Sequence, residues 1–500
     1  MASQLSRLRQ KLTTTLSSPI KARHLSLPAA DPKPGPDPAH LSSLRAPPVR
    51  VTTLPNDIRV VTQAAPSSAT HTASVGVWID AGSRFELPGT NGTAHFLEHM
   101  IFKGTARRTA RSLEEEVENM GGRLNAYTSR EQTTFFADVQ SRDLPAAVDI
   151  LADILQNSRF PDHAIARERG VIEREMEFVQ EQMEEVIFDH LHMAAFRDHP
   201  LGDTILGPLE NIRSISKQDL QRYISTHYTG GRMVVSAAGA VEHDHIVDMI
   251  NGTFKQFPRD PTTADQIVEA NPATFTSSEV RVENDGMPLV HLAIAFKGAS
   301  YVDPTSIPLM VMQTMLGSWN RSVGVGNCSG SQLAQRVSTD DLADSVMGFN
   351  TNYRDTGMWG VYATAAPDTV RDLSSVLMQE IRRLAYQVSE EELVRARNQL
   401  KSCLVLHIDG STAVAENNGR QMLTYGRVVP FLELFARIDA VDAATIKETA
   451  RNFIIDKARI IPLSLSILCL QLQDVAIAAV GQLQGLPDLS WFRSQTRAES

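Results

Sequence analysis

The sequence predicts an α+β protein made of two homologous α+β domains, a duplicated unit, and three observations predict it. A chain of 500 residues is too long for one hydrophobic core, so at least two domains are expected. Val75 to Ser83 (VGVWIDAGS) is echoed by Leu292 to Ser300 (LAIAFKGAS), each an apolar strand running into a turn of small residues. Met233 to Val241 (MVVSAAGAV) is echoed in turn by Val475 to Leu483 (VAIAAVGQL). The two copies are placed at 49–255 and 284–500, joined by a Pro- and Thr-containing connector at 256–283.

The chain before the first copy has a different chemistry. Residues 1–30 carry Arg7, Arg9, Lys11, Lys21 and Arg23, no Asp or Glu, and many Ser and Thr. Leu5, Leu8 and Leu12 form one helical stripe beside those cations. This is the composition of a mitochondrial or plastid transit peptide, not of a secretory signal with a long apolar centre. Residues 31–48, rich in proline, read as an unstructured linker. Without the leader the body holds 43 basic against 58 acidic residues, a balance that disfavours nucleic acid and attracts basic peptides. No apolar run reaches the roughly 18 residues a membrane span requires; Ile460 to Leu470 is the nearest, and Pro462 interrupts it. Cys328, Cys403 and Cys469 form no C-x-x-C and suit a reducing compartment.

Order begins near Val49. Arg50 to Leu54 and Ile58 to Val61 flank Pro55-Asn56-Asp57 as a hairpin. Val75 to Ile79 is a strand. A glycine-containing loop then leads to a short helix over His95 to His99, with Asn91 or Thr93 as its cap. Ser112-Leu113-Glu114-Glu115 has the pattern of a capping box for a helix closed by Gly121-Gly122. Arg123 to Ser129 and Thr133 to Val139 read as paired strands, His163 to Phe196 as one long charged helix, and Arg232 to Ala240 as a strand. In the second copy the spacing between the last helix and last strand is too long. Deleting 458–473 (ARIIPLSLSILCLQLQ) restores it, so that segment is read as an insertion foreign to the fold.

The chemistry-bearing stretch is His95-Phe96-Leu97-Glu98-His99. Residues four apart share a helix face, so both imidazoles converge on one zinc ion, and Glu98 lies almost on that face where it reaches water. The order is H-x-x-E-H, the inverse of the H-E-x-x-H zinc protease signature. A catalytic zinc site takes three protein ligands, and Glu98 is needed for the water, so a further carboxylate is missing. Glu168, Glu173, Glu175 and Glu177 are the candidates, and spacing alone does not choose among them. The second copy has no such motif: Val302 to Leu316 contains neither His nor Glu.

These residues, with MIFKGT after His99, Asn125 to Glu131 (NAYTSRE), Glu168 to Glu175 (ERGVIERE), FNTNYRDTG and DGSTA…GRQMLTYGR, resemble the pitrilysin-type zinc peptidases from about residue 50 to the C-terminus. Within that family the likeness is strongest to the beta-type subunits of its presequence-processing branch. The resemblance implies two halves packed as a clam shell around a cleft, and one zinc ion held by His95, His99 and Glu175. It implies Glu98 as the general base and Glu168 as the carboxylate that orients a ligand histidine. Asn125, Ala126 and Thr128 are implied in an edge strand that binds an extended presequence. Glu185 and Asp189 are implied as an acidic pair for a substrate arginine, and Tyr353 as a contact to the substrate carbonyl. His190 and His192 read as structural. The resemblance further implies an alpha-type partner in a heterodimer, basic presequence peptides as substrate, and a place in the mitochondrial matrix or on the matrix face of the inner membrane. Two other readings compete: a core subunit of ubiquinol–cytochrome c reductase, with or without peptidase activity, and a free-standing oligopeptidase.

Overall fold

The computed structural model describes residues 47–65, 71–324, 330–455, 457–460, 468–471 and 474–497. The basic leader and most of the proline-rich linker lie outside the described residues, as do Cys328 and residues 461–467 of the segment read as an insertion.

The first half opens with the expected hairpin. β1 (Val49–Thr53) and β2 (Arg59–Ala64) pair antiparallel, and the turn between them holds Asp57 at φ 69°. β3 (Thr72–Ile79) follows, then α1 (Thr93–Met100) and α2 (Ala110–Asn119). The capping box read at Ser112 is displaced: Thr109 is the cap, its hydroxyl accepting from Ser112 N, because the helix starts one turn earlier. Gly121, at φ 62°, ends α2 by donating to Glu118 O while Gly122 donates to Val117 O. β4 (Arg123–Thr128) and β5 (Thr133–Gln140) pair as expected. After α3 (Leu144–Asn157), the single long helix read over 163–196 is in fact two, α4 (Asp162–Gln180) and α5 (Met183–Ala195), broken at Glu181-Gln182. α6 (Lys217–His227), β6 (Met233–Gly239) and α7 (His243–Thr253) complete this half.

The second half repeats the plan. The stretch read as a connector already contains a helix, Ala264–Ala270, and supplies β7 (Glu279–Glu283), so the second sheet begins before residue 284. Then come β8 (Val290–Lys297), α8 (Ser306–Leu316), β9 (Ser318–Asn320), β10 (Ser345–Asn352), β11 (Gly357–Ala365), α9 (Val370–Arg383), α10 (Glu390–Leu406), α11 (Gly410–Tyr425), α12 (Ala443–Phe453) and two short strands, β12 (Lys457–Ile460) and β13 (Leu468–Gln471), before β14 (Val475–Gly481). The first sheet runs β1-β2-β6-β3-β5-β4 and the second β7-β14-β8-β11-β10-β9. In both, one parallel pair (β2 with β6, β7 with β14) is followed by antiparallel neighbours, so β3 corresponds to β8 and β6 to β14. The sheets differ at their edges: β10 carries β9 on its outer side, whereas its counterpart β4 is the last strand of its sheet. Among the described residues β12 and β13 pair with each other alone, in a two-stranded sheet separate from both.

Why the long helix breaks follows from how the halves cover one another. On β8, Leu292, Ile294 and Phe296 face one core while Ala293 and Ala295 face the other way. That second, alanine-lined face receives Ile187, Leu191, Ala194 and Ala195 of α5, which therefore leaves the line of α4 to lie on the opposite half's sheet. Reciprocally, α11 of the second half lies across β2, β3 and β6. There Ala73, Val75, Val77 and Ile79 face the first core, and Trp78 faces α11. Gly419 allows that approach, since a Cβ there would meet the Trp78 ring at 2.3 Å. Each such fully buried large side chain contributes about 1.5–3 kcal/mol. Sheet faces of small residues, each waiting for a helix from the other copy, explain why strands such as β3 and β6 read as nearly continuous apolar runs.

Ion pairs, buried except at the exposed carboxylate of Asp265, fasten the same seam. Arg84 Nη1 lies 2.7 Å from both Glu131 and Asp355, and Arg354 binds Asp80 and Asp265 at 2.5 Å. Burial raises the Asp80 and Glu131 carboxyls, and the facing guanidinium groups oppose that rise. The apolar exchange supplies the adhesion of the seam, and the ion pairs fix its register.

Candidate metal centre

The histidine helix α1 is capped in an unexpected way. Neither Asn91 nor Thr93 caps it; the N-cap is Gly92, at φ 102°, with no side chain to offer. The acceptor comes from upstream. Glu86 accepts from Gly92 N at 2.9 Å, Ala94 N at 2.6 Å and Asn91 Nδ2 at 2.8 Å. Burial pushes the Glu86 carboxyl up to about 8 against the pull of those three donors. Its two oxygens satisfy orphan amides of the first turn, so Glu86 pins the end of the helix that carries His95. Gly92 is required there: besides its positive φ, a Cβ would stand 2.5 Å from Leu206 O.

One turn separates His95 from His99, and their rings lie 4.8 Å apart, centroid to centroid. α4 runs past them and brings Glu175 between the two imidazoles. Its carboxylate oxygens lie 3.7 Å from His95 Nε2 and 3.1 Å from His99 Nε2. The ligand atoms of His95, His99 and Glu175 all fall within 4.8 Å of one another, and among the described residues no other group of three such side chains does so. Of the four glutamates that spacing left open, α4 therefore presents Glu175 to the rings. Glu168, two turns earlier on that helix, faces the other side of His99, with Oε2 3.5 Å from Nδ1 and Oε1 3.0 Å from Lys103 Nζ. Glu173 instead pairs with Arg213. Glu98, 8 % exposed, sits on α1 between the two histidines.

The donor set and its charge both suit a divalent cation. Two imidazole nitrogens and one carboxylate are the ligands of a catalytic zinc site that leaves a position open. Burial disfavours charge on His99, yet hydrogen bonds to Glu168 and Glu175 and the field of the carboxylates raise it to about 9. Glu175 and Glu168 are held below the usual carboxylate range despite burial, by the histidines and, for Glu168, by Lys103. Carboxylates in excess here recruit a proton when nothing else is bound, and a metal ion would displace that proton.

A pH dependence follows. His99 is raised from its ordinary 6.5, so in the metal-free protein its contribution to stability is complete below 6.5 and lost as pH rises through about 9. Metal affinity runs the opposite way. It should rise about tenfold per pH unit between 6.5 and 9, with close to one proton released per ion, and flatten above. Competition with a chelator across that range measures the slope; a flat profile would show that His99 carries no proton to displace.

Asn125, Ala126 and Thr128 lie on β4, which packs beside α1. The Ala126 amide donates to Asn125 Oδ1 at 2.9 Å, so a side chain occupies a main-chain donor of this open edge. Behind β4, the Tyr127 hydroxyl donates to Glu416 of α11 at 2.5 Å and ties the strand to the second half. Glu185 and Asp189 stand one turn apart on α5, and Asp189 Oδ1 accepts from Arg130 Nη2 at 2.8 Å. Tyr353 packs into the apolar seam: its hydroxyl is 2.5 Å from His192 Nε2 and its ring meets that of Phe196 nearly at right angles. His192 is structural as read, its ring nitrogens taken up by Tyr353 and Phe188 O. Glu86, Lys103 and Arg130 were given no role in the sequence reading, although Lys103 and Arg130 stand within the stretches MIFKGT and NAYTSRE that carry the resemblance.

With this geometry in hand, comparison with known proteins is direct. The insulinase family, peptidase family M16, matches residues 59–209, and the inactive domain of peptidase M16 matches 214–400. That inactive match falls mainly on the copy that lacks the histidine motif. The chain is 56% identical over 458 residues to a protein of Arabidopsis thaliana named probable mitochondrial-processing peptidase subunit beta, covering 92% of this chain and 83% of that one. It is 48% identical over 451 residues to the Homo sapiens mitochondrial-processing peptidase subunit beta, covering 90% and 88%. In fold it is similar to a chain of complex III2 from Candida albicans, with TM-score 0.77, 24% identity, and coverage of 90% of this chain and 100% of that one.

Proposed function

The chain belongs to the insulinase family of peptidases, family M16, and from that premise we propose that it is the beta-type subunit of a processing peptidase, a zinc metalloendopeptidase that removes N-terminal targeting presequences from proteins imported into mitochondria. The observation that carries this reading is the meeting of His95, His99 and Glu175 within 4.8 Å, with Glu98 on the same short helix. A chain that served only as scaffold would have no use for that donor set.

His95, His99 and Glu175 would hold one zinc ion. When bound, zinc lowers the pKa of water toward neutrality and polarises a peptide carbonyl. Glu98 takes the proton from the attacking water and returns it to the leaving amine. Glu168 accepts from His99 Nδ1, which leaves Nε2 directed at Glu175, and Lys103 steadies Glu168 from its other oxygen. The presequence adds to β4 as an extended strand. The Asn125 side chain gives way to the incoming main chain, so affinity depends little on sequence. Glu185 and Asp189 supply specificity by receiving an arginine upstream of the cut.

The zinc ligands, the base and the edge strand all come from the first half. An alpha-type partner is the natural second wall, and the working enzyme is a heterodimer in the mitochondrial matrix or on the matrix face of the inner membrane. The likeness to the complex III2 chain speaks for the fold alone and does not favour the structural alternative over the enzyme. The test is cleavage of an arginine-containing presequence peptide by the chain with and without an alpha-type partner. Turnover is expected only with the partner. Equal turnover by the isolated chain would favour a free-standing oligopeptidase, and none in either case would favour the structural role.

A further inference from the structure

Glu416 stands on α11, a helix of the second half, yet each of its oxygens accepts a hydrogen bond from the first half. Oε2 accepts from Trp78 Nε1 of β3 at 2.9 Å, and Oε1 accepts from the Tyr127 hydroxyl of β4 at 2.5 Å. In the sheet order β3-β5-β4 those strands are not neighbours, so one carboxylate spans the strand between them. α11 also grips that middle strand, where Thr412 Oγ1 donates to Asp138 at 2.7 Å. Tyr127 carries the grip one strand further, to the edge. Burial and the Glu416 charge push its hydroxyl up from the ordinary range, so it stays protonated and donates. Side chains alternate along a strand. Tyr127 therefore faces α11, while Ala126 faces the core that also holds Phe96 and Leu97 of the histidine helix α1.

We propose that Glu416 is a positioning residue for the peptide-binding edge: by bracing β4 to β3 from behind, it holds the edge strand beside α1 at the place where an added peptide strand meets the metal triad. This rests on the reading of β4 as the strand to which the presequence adds. The half that lacks the histidine motif thereby takes part in the reaction of the other half. What the tie contributes is preorganisation. A peptide that pairs with an edge strand needs the main-chain donors and acceptors of that strand already in line, and a strand free to sway must be ordered at each encounter. The loss then falls on peptide binding and leaves the zinc ligands alone. β4 does not depend on Glu416 for its existence. It pairs along its whole length with β5, and the loop after it is held by Glu131, whose two oxygens each lie 3.2 Å from the donating Arg354 amide.

The experiment measures KM, kcat and zinc affinity of the chain, assembled with its alpha-type partner, for Tyr127→Phe, Glu416→Ala and the two combined. Unfolding temperature establishes that each is folded; if Glu416→Ala is not, Tyr127→Phe, which removes one oxygen atom, decides alone. KM for a presequence peptide should rise about three- to tenfold in each single variant. At saturating peptide kcat should stay within about twofold of the parent, and zinc affinity should not change. The combined variant should be no worse than Glu416→Ala, because both changes break the same tie. A merely structural role would lower the unfolding temperature and leave KM where it was, and that result would overturn the proposal. So would a loss of zinc affinity in step with KM, or effects that multiply in the combined variant. Peptides N-methylated at one main-chain position at a time separate the two levels. In the parent, KM should rise for methylation at alternate positions near the cut, as strand addition requires. If no position matters, the edge-strand reading fails and takes the proposal with it. If alternate positions matter while Tyr127→Phe keeps the parental KM, the edge strand stands and the role of Glu416 is refuted.

Discussion

Replacing Glu98 with Gln is expected to lower turnover by about 10²–10⁴-fold while the metal stays bound. The amide keeps the size of the side chain and its place on α1, one residue before His99, but it cannot accept a proton at neutral pH. The proposed ligand set does not include Glu98, since the donor atoms that converge belong to His95, His99 and Glu175. The measurement is kcat on a presequence peptide alongside metal content in the same preparation. A variant that loses metal and activity together would make Glu98 a ligand or a structural group, and the proposed division of labour would be wrong. KM should move little, because the edge strand and the acidic pair are untouched.

The second large effect separates the two glutamates of α4. Glu175→Gln should bind zinc far more weakly and lose activity with it, because one of three ligands is exchanged for a neutral amide. Glu168→Gln should be milder. It leaves the three ligands in place and removes the carboxylate 3.5 Å from His99 Nδ1, and second-sphere changes of this kind cost about 10–100-fold in affinity. Saturating zinc should therefore restore much of the activity of the Glu168 variant and little of the Glu175 variant. Titration of apo protein with zinc against a competing chelator reads both affinities. Equal losses would mean that the two carboxylates share one role.

Much of this was legible in the sequence because it depends on local rules. The hairpin at Asp57, the pairing of 123–128 with 133–140 and the helical face shared by His95 and His99 follow from periodicity and turn chemistry. The duplication was legible too, since β3 and β8, and β6 and β14, occupy matching places in their sheets. What was illegible depends on contacts between distant segments. The break at Glu181-Gln182 carries no proline or glycine; it exists because α5 is claimed by the alanine-lined face of the other half's sheet. The cap of α1 comes from Glu86, outside the window in which caps are sought. The contact of Tyr353 with His192 likewise joins residues far apart in the chain, and no local pattern announces it. Glu175 lies between these cases. Helical spacing narrowed the choice to four acids, resemblance to a family named one, and the crossing of α4 over α1 sets its carboxylate beside both rings.

The most direct test of the central claim is X-ray absorption at the zinc edge, on protein purified with its alpha-type partner and shown to hold one zinc per beta-type chain. The spectrum should show a nitrogen and oxygen shell near about 2.0–2.1 Å with the outer scattering of two imidazoles, and no sulfur. A sulfur shell at about 2.3 Å, scattering from a single imidazole, or a spectrum unchanged by Glu175→Gln would contradict the assignment of His95, His99 and Glu175 as the ligands.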